Sequence, residues 1–181
     1  SSDMCSSDLI EPKLSWRALL ARYLLSLAHD DYSFQRPARR EGDAILPRLA
    51  SGLIDLIVVL DTSGSIGERE LREFGTEIDG LKSEVRARVT IHACDDSLAP
   101  EGPWTFEPWQ PVSMPSSLAG GGATDFCPVF EWINDEGRRP DALVYFTDAE
   151  GEFPREPPPY PVIWIVKGRA LVPWGERIQM N

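Results

Sequence analysis

Side chains with oxygen ligands follow three segments that a folded sheet would bring together. An aspartate and two serines, in the pattern D-x-S-x-S, follow the mainly apolar run 53–60. A threonine comes shortly after the glycine run 120–122, and an aspartate follows the largely apolar run 142–147. Carboxylate and hydroxyl oxygens are hard ligands, which suit Mg²⁺ or Mn²⁺ better than zinc. The predicted metal ligands are Asp61, Ser63, Ser65, Thr124 and Asp148.

Three further carboxylates, those of Asp95, Asp125 and Glu150, come close to these ligands in the sequence. They either support the ligands from just outside the metal or serve as turn residues and solvated loop carboxylates. Carboxylates gathered at one edge of a sheet repel one another unless a cation or protonation relieves them. A bound divalent ion is therefore the economical explanation. The alternative is a hydrogen-bonded turn that caps the following helix without any metal.

The spacing of apolar residues predicts an α/β fold. The predicted helices are 15–28, 68–85 and 125–136, and the predicted strands are 53–60, 89–94, a short edge strand within 104–109, 142–147 and 162–166. Continuous apolar strands are typical of a parallel sheet that is covered on both faces. Right-handed crossovers then give an open, mostly parallel twisted sheet with helices on both faces. Ligands of such sheets bind beyond the carboxyl ends of the strands, where Asp61, Asp95 and Asp148 are expected.

The order D-x-S-x-S, then a threonine, then T-D, resembles the metal-ion-dependent adhesion site of von Willebrand factor A (VWA) domains. The similarity extends over roughly residues 13–180. It includes Trp16 and the segments F-Q-R-P at 34–37, L-P at 46–47, Y-F-T-D at 145–148 and Y-P-V-I-W at 160–164. These segments resemble bacterial VWA-like proteins whose longer members carry an N-terminal domain of predicted metallopeptidase type.

This resemblance implies a Rossmann-like VWA fold that acts as a metal-dependent protein-interaction module. Ser63 and Ser65 would coordinate the metal directly, as would Thr124 in some states. Asp61 and Asp148 would hold metal-bound waters. The remaining position on the metal would take a carboxylate from a partner protein, and the implied partner is a MoxR-type AAA+ ATPase that is encoded nearby.

The sequence departs from the VWA pattern directly after T-D. Such domains usually place glycine where this chain has Ala149. Alanine adopts a positive φ angle only at an energetic cost, so the change bears on the geometry of this loop. Glu150 and Glu152 follow, and their carboxylates either reach the metal, where they would block the partner's position, or face water.

The composition argues against several other classes of function. A net charge of −11 disfavours nonspecific nucleic-acid binding and contact with anionic membranes, and no apolar run approaches the length of a membrane span. The three cysteines, Cys5, Cys94 and Cys127, lack C-x-x-C spacing, which argues against a disulfide scaffold and against a structural zinc site. Reduced thiols in the cytoplasm are the simplest interpretation, and Cys94 and Cys127 are expected to be small core residues.

Catalytic motifs fit this sequence poorly. The segment S-G-S-I-G at 63–67 has serine where a nucleophile elbow needs its first glycine, and the glycine run 120–122 lacks the lysine of a P-loop. No H-E-x-x-H motif occurs, and the two histidines, His29 and His92, are expected at a helix end and within a strand. We therefore expect no enzymatic activity from this chain. Two alternatives stay open, namely a metal-dependent hydrolase or peptidase-associated domain, and a structural domain whose metal site is vacant.

The chain divides into three predicted regions. Residues 1–9 contain no signal-peptide pattern and are interpreted as a non-native or disordered segment, which implies a missing native N-terminal region. Residues 10–52 are predicted to form a helix and an irregular arm that pack on the domain. Residues 53–181 are predicted to form the VWA-like domain itself.

Overall fold

The computed structural model describes residues 15–30, 53–64, 67–113, 118 and 120–180, with the backbone alone for residues 28–30. The helices formed in these residues are α1 (Trp16–Asp30), α2 (Glu68–Val85) and α3 (Cys127–Asp135). The strands are β1 (Ile54–Asp61), β2 (Ala87–Cys94), β3 (Trp104–Phe106), β4 (Ala142–Thr147), β5 (Val162–Lys167) and β6 (Glu176–Met180). The predictions made for residues 1–9, for the arm within 31–52 and for Ser65 fall outside the described residues.

These strands form one sheet in the order β3-β2-β1-β4-β5-β6. β3 runs antiparallel to β2, and the other neighbouring strands are parallel. β1 lies at the centre because its apolar run is buried on both faces, and Asp55 alone in this strand is partly exposed. The chain passes from β1 to β2 and β3 on one side and then crosses to β4, β5 and β6 on the other. The topological switch point therefore lies between the carboxyl ends of β1 and β4.

The two faces of the sheet carry different cores. On one face α1 and α2 bury mainly aliphatic side chains, among them Leu20 and Ile78. On the other face α3 covers an aromatic cluster in which Phe126, Tyr145 and Trp164 are fully buried and contact one another. Each such side chain contributes roughly 1.5–3 kcal/mol through burial, before the cost of chain entropy is counted. The prediction of a mostly parallel sheet with helices on both faces is confirmed.

The predicted elements agree with the structure to within a few residues, with two differences. β6 was not predicted, because in the sequence E-R-I-Q-M only the isoleucine, Ile178, is buried and no apolar run marks the strand. α3 begins at Cys127 rather than at Asp125. The reason is that the Asp125 carboxylate accepts a hydrogen bond from the Cys127 amide at 2.8 Å and so precedes the helix. No helix in the described part of the chain is long and apolar enough to cross a membrane.

Candidate functional site

The Asp61 carboxylate lies at the switch point and is completely buried. Its Oδ1 atom accepts a hydrogen bond from the Ser63 amide at 2.8 Å, and its Oδ2 atom accepts one from the Thr147 hydroxyl at 2.5 Å. Burial raises the pKa of Asp61, the hydrogen bonds from Thr147 and Ser63 lower it, and the charge of Asp148 raises it again. The site therefore holds a desolvated carboxylate in one fixed orientation, with a second carboxylate close by.

The end of β4 forms the other wall of the site. The Thr147 hydroxyl is fully buried, and it accepts a hydrogen bond from the Ala149 amide at 2.9 Å while donating to Asp61. Oδ1 of the partly exposed Asp148 accepts a hydrogen bond from the Glu150 amide at 2.9 Å. Ala149 has a φ angle of 61°, which is the left-handed conformation that glycine adopts more cheaply. The departure from the VWA pattern therefore places an alanine where the backbone still has the geometry that favours glycine.

The loop that carries Thr124 is held against both walls by close backbone contacts. A Cβ atom on Gly120 would lie 2.2 Å from the Thr62 carbonyl oxygen, and one on Gly151 would lie 2.6 Å from the Thr124 carbonyl oxygen. The Glu152 amide donates a hydrogen bond to the Thr124 carbonyl oxygen at 3.3 Å, which pairs this loop with the segment after β4. These contacts bring the backbone of Thr124 to the same edge of the sheet as Asp61 and Asp148.

The additional carboxylates mainly stabilise turns. Asp95 Oδ1 accepts a hydrogen bond from the Ser97 amide at 3.2 Å, and the Asp95 carbonyl oxygen accepts one from the Asp125 amide at 2.9 Å. The Asp125 carboxylate is used by the start of α3, and the Glu150 side chain is exposed to solvent. Of the two interpretations left open by the sequence, the turn or solvated-loop interpretation fits these contacts better.

An ion pair beside the site was missed by the sequence analysis. Lys167 Nζ, at the end of β5, lies 2.7 Å from Glu70 Oε1, and Glu70 Oε2 accepts a hydrogen bond from the Gly67 amide at 2.9 Å. Its hydrogen bond with Lys167 is the largest of the effects that lower the pKa of Glu70. Gly67 ends the segment that begins with D-x-S-x-S, so this ion pair anchors the far end of that segment to β5. Nothing in the local sequence around Glu70 indicates a partner 97 residues away.

Thr147 was also missed as a site residue, although it stands in the T-D motif. Its burial and its hydrogen bond to Asp61 make it the side chain that orients this carboxylate. The available signal was its position at the end of β4, next to β1 in a parallel sheet. A hydroxyl at that position points to the same face as the last side chain of β1.

The buried histidine and cysteine lie below the site and do not supply reactive groups. The His92 ring packs edge-on against Trp132 with ring centroids 5.1 Å apart, and burial lowers its pKa. Cys94 is buried, and desolvation raises its pKa to about 12, so its thiol stays protonated. The prediction that these two side chains are packed in the core is confirmed. Cys127 differs from the prediction, because it begins α3 and is only partly buried.

The described side chains fit a hard divalent cation. They supply two carboxylates, from Asp61 and Asp148, and two hydroxyls, from Ser63 and Thr124. The Asp61 carboxylate accepts hydrogen bonds from the Ser63 amide and from the Thr147 hydroxyl, and a carboxylate has about four lone-pair sites for such interactions. In the part of the chain that the structure describes, no three His, Cys, Asp or Glu side chains gather as metal ligands. A metal here would therefore depend on hydroxyl oxygens, as Mg²⁺ accepts and zinc does not favour.

Comparison with known proteins identifies the family. Residues 56–181 match the family described as VWA-like domain (DUF2201), and the chain belongs to this family. An uncharacterized protein of Thermotoga maritima is 29% identical over 157 residues, which cover 82% of this chain and 36% of that protein. This chain thus spans a little over a third of that relative's length. The family supports a general role as a protein-interaction module.

One solved structure supports the fold. The crystal structure of the ArnB paralog VWA2 from Sulfolobus acidocaldarius is similar, with a TM-score of 0.51 and 14% sequence identity. The match covers 64% of this chain and 35% of that one. At this level of identity the likeness shows the fold alone, and it agrees with the Rossmann-like VWA fold that the sequence resemblance implied.

Proposed function

We propose that this chain is a metal-dependent protein-interaction module that binds Mg²⁺, or Mn²⁺, at the carboxyl edge of its sheet. The observation that carries the proposal is the state of Asp61. Its carboxylate is fully buried beside a second carboxylate, and the groups that lower its pKa are an amide and hydroxyls rather than a cationic side chain. A carboxylate in this state is strongly stabilised by a cation of external origin.

The residues of the site would have different roles in binding the ion. Asp61, Ser63, Ser65, Thr124 and Asp148 would surround it, and Thr147 would keep the Asp61 carboxylate in its present orientation. The bound ion would supply a coordination position for a carboxylate from the partner protein. Gly120 and Gly151 allow the Thr124 loop to approach its neighbours closely, which supports a role for the Thr124 hydroxyl in this site.

The partner that the family resemblance suggests is a MoxR-type AAA+ ATPase, and no catalytic step is proposed for this chain. A hydrolase would need a general base at the site. The buried His92 packs against Trp132 and is not exposed at the edge where the ion would sit. We therefore favour a role in protein association, which requires no general base, over a role in catalysis.

Surface plasmon resonance against the MoxR-type ATPase tests this proposal. Thr124→Ala should weaken association roughly tenfold or more, because it removes one oxygen from the metal's surroundings. Thr124→Ser is the matched control, since it keeps the hydroxyl and should bind within about threefold of wild type. In EDTA all three proteins should bind equally poorly. Wild-type affinity that survives both EDTA and Thr124→Ala would contradict the proposed role of the metal.

A further inference from the structure

The loop between β5 and β6, residues 168–175, lies at the same edge of the sheet as the candidate metal site. β5 pairs with β4 so that Val166 is opposite Thr147, and the loop therefore begins level with Asp148. Within this loop Leu171 is 83% exposed. Exposed single leucines are common on protein surfaces, so the exposure alone decides nothing. What distinguishes Leu171 is how the rest of its loop is held.

The loop is held on both sides of Leu171, before it by a side chain from outside the loop and after it by a side chain of the loop itself. Arg177 donates hydrogen bonds to the carbonyl oxygens of Ala170 and Gly168, at 2.8 and 3.0 Å. Trp174 donates to the Pro154 carbonyl oxygen at 3.0 Å and packs edge-on against Trp164. A leucine presented on a fixed backbone loses little conformational entropy when a partner covers it.

The loop also continues directly from the ion pair that anchors the metal segment. Lys167, the last residue of β5, pairs with Glu70, which accepts the hydrogen bond from the Gly67 amide. The residue directly before loop 168–175 is therefore tied, through Glu70, to Gly67 at the end of the segment that carries Ser63. A partner that reaches the metal would find this loop beside it in a set position.

The charge of the loop differs from that of the chain as a whole. Its sequence, G-R-A-L-V-P-W-G, contains one cation, Arg169, and no carboxylate, in a chain with a net charge of −11. Arg169 is exposed, and within the described residues it takes part in none of the ion pairs. An acidic partner segment would be repelled by most of this surface and attracted to this loop.

We infer that loop 168–175 is the second contact surface for the partner that the metal site recognises, and this inference rests on the proposed function. The occupant is a protein segment whose acidic side chain goes to the metal and whose neighbouring apolar side chain packs on Leu171. A further carboxylate of the same segment lies near Arg169. The metal provides a contact common to any carboxylate, and Leu171 with Arg169 select among acidic segments.

A random peptide library displayed on phage tests the inference without a known partner. The library is panned on the immobilised chain in Mg²⁺, and bound phage are eluted with EDTA. The eluted peptides should be enriched in an acidic residue with an apolar residue a few positions away. Their synthetic versions should bind Leu171→Ser about tenfold more weakly than wild type, as expected for loss of an apolar anchor.

Trp109→Ser is the matched control, because Trp109 is 79% exposed and follows β3 at the opposite edge of the sheet. It should bind the peptides as wild type does, and both variants should keep the wild-type melting temperature. Eluted peptides that bind Leu171→Ser as tightly as wild type would overturn this inference and leave the metal site standing. Equal losses in Leu171→Ser and Trp109→Ser would overturn it too. An absence of EDTA-eluted peptides would count against the proposed function itself.

Discussion

Strand β1 carries a desolvated aspartate near each end, and the groups that surround these two carboxylates differ. At the amino end burial raises the pKa of Asp55, the charges of Arg138 and Arg88 lower it, and the charge of Asp141 raises it. Arg138 lies 3.6 Å from the Asp55 carboxylate. At the carboxyl end burial and the charge of Asp148 likewise raise the pKa of Asp61, but the groups that lower it are hydroxyl and amide donors in place of arginines.

This difference distinguishes a carboxylate beside arginines from one whose pKa is lowered by uncharged donors alone. The fold places the cationic side chains of Arg138 and Arg88 beside Asp55, and their charges offset part of the cost of its burial. It orients Asp61 with uncharged donors, and the proposed divalent ion would supply the compensating charge.

The largest effect on this arrangement is expected from filling the close contact of Gly120. Gly120→Ala places a methyl group 2.2 Å from the Thr62 carbonyl oxygen, a backbone atom that cannot move away easily. We expect a loss of about 3 kcal/mol, the upper end of the usual cost of overpacking. Urea unfolding monitored by circular dichroism measures this change.

Gly80→Ala is the control for the Gly120 variant. Gly80 lies in α2, and a Cβ atom there meets nothing within 4 Å. Alanine should stabilise this helix by about 0.5–1 kcal/mol, because glycine carries an entropic cost in a helix. If Gly120→Ala were as stable as wild type, the close packing of the Thr124 loop against β1 would be wrong.

Smaller effects are expected at two residues with positive φ angles, one at the amino edge of the sheet and one at the carboxyl edge. Arg86, at the amino edge, has a φ angle of 50° and an exposed side chain, so Arg86→Gly should stabilise the fold by about 1 kcal/mol. Ala149, at the carboxyl edge, has a φ angle of 61° and a buried methyl group. Replacing it by glycine should relieve about 1 kcal/mol of backbone strain. The loss of the buried methyl group should cost about 0.8 kcal/mol, so the free energy of unfolding should change little.

Thermal unfolding of Arg86→Gly and Ala149→Gly, measured side by side, checks this comparison. The expected order is Arg86→Gly above wild type, with Ala149→Gly close to wild type. A large loss in Ala149→Gly would mean that the alanine methyl contributes more to the loop than its size indicates.

Much of this architecture could be predicted from the sequence. The continuous apolar runs of β1 and β4 and the helical spacing in α2 determine the elements that carry Asp61 and Asp148. The parallel order then places both residues at one edge. β6 could not be predicted, because it is an edge strand with one buried residue, Ile178, and it depends on pairing with β5 rather than on its own pattern.

The contacts that orient the side chains of the site were harder to predict than the residues that form it. The bond from Thr147 to Asp61 spans 86 residues, and the ion pair of Lys167 with Glu70 spans 97 residues. Both depend on the register of neighbouring strands, which is set by tertiary packing. The sequence showed that Ala149 departs from a glycine position, but only the backbone shows that the left-handed conformation is retained.

The comparison of Asp61 with Asp55 also has a consequence for pH. Because folding raises the pKa of Asp61, its ionised form destabilises the metal-free protein. The contribution of Asp61 to stability is therefore fully present below its unfolded pKa and is lost as the pH rises through its folded pKa. Asp61→Asn removes this charge, so in EDTA at pH 7 the variant should be at least as stable as wild type.

The most direct test is a Mg²⁺ titration of protein stripped with EDTA, followed by thermal unfolding at pH 7. Wild type should gain stability with the logarithm of Mg²⁺ concentration, by about 2.7 kcal/mol at one hundred times the dissociation constant. Asp61→Asn should show no response to Mg²⁺, and Asp55→Asn should respond as wild type does. A wild-type melting temperature that stays unchanged up to tens of millimolar Mg²⁺, or an equal response in Asp61→Asn, would contradict a metal site at Asp61.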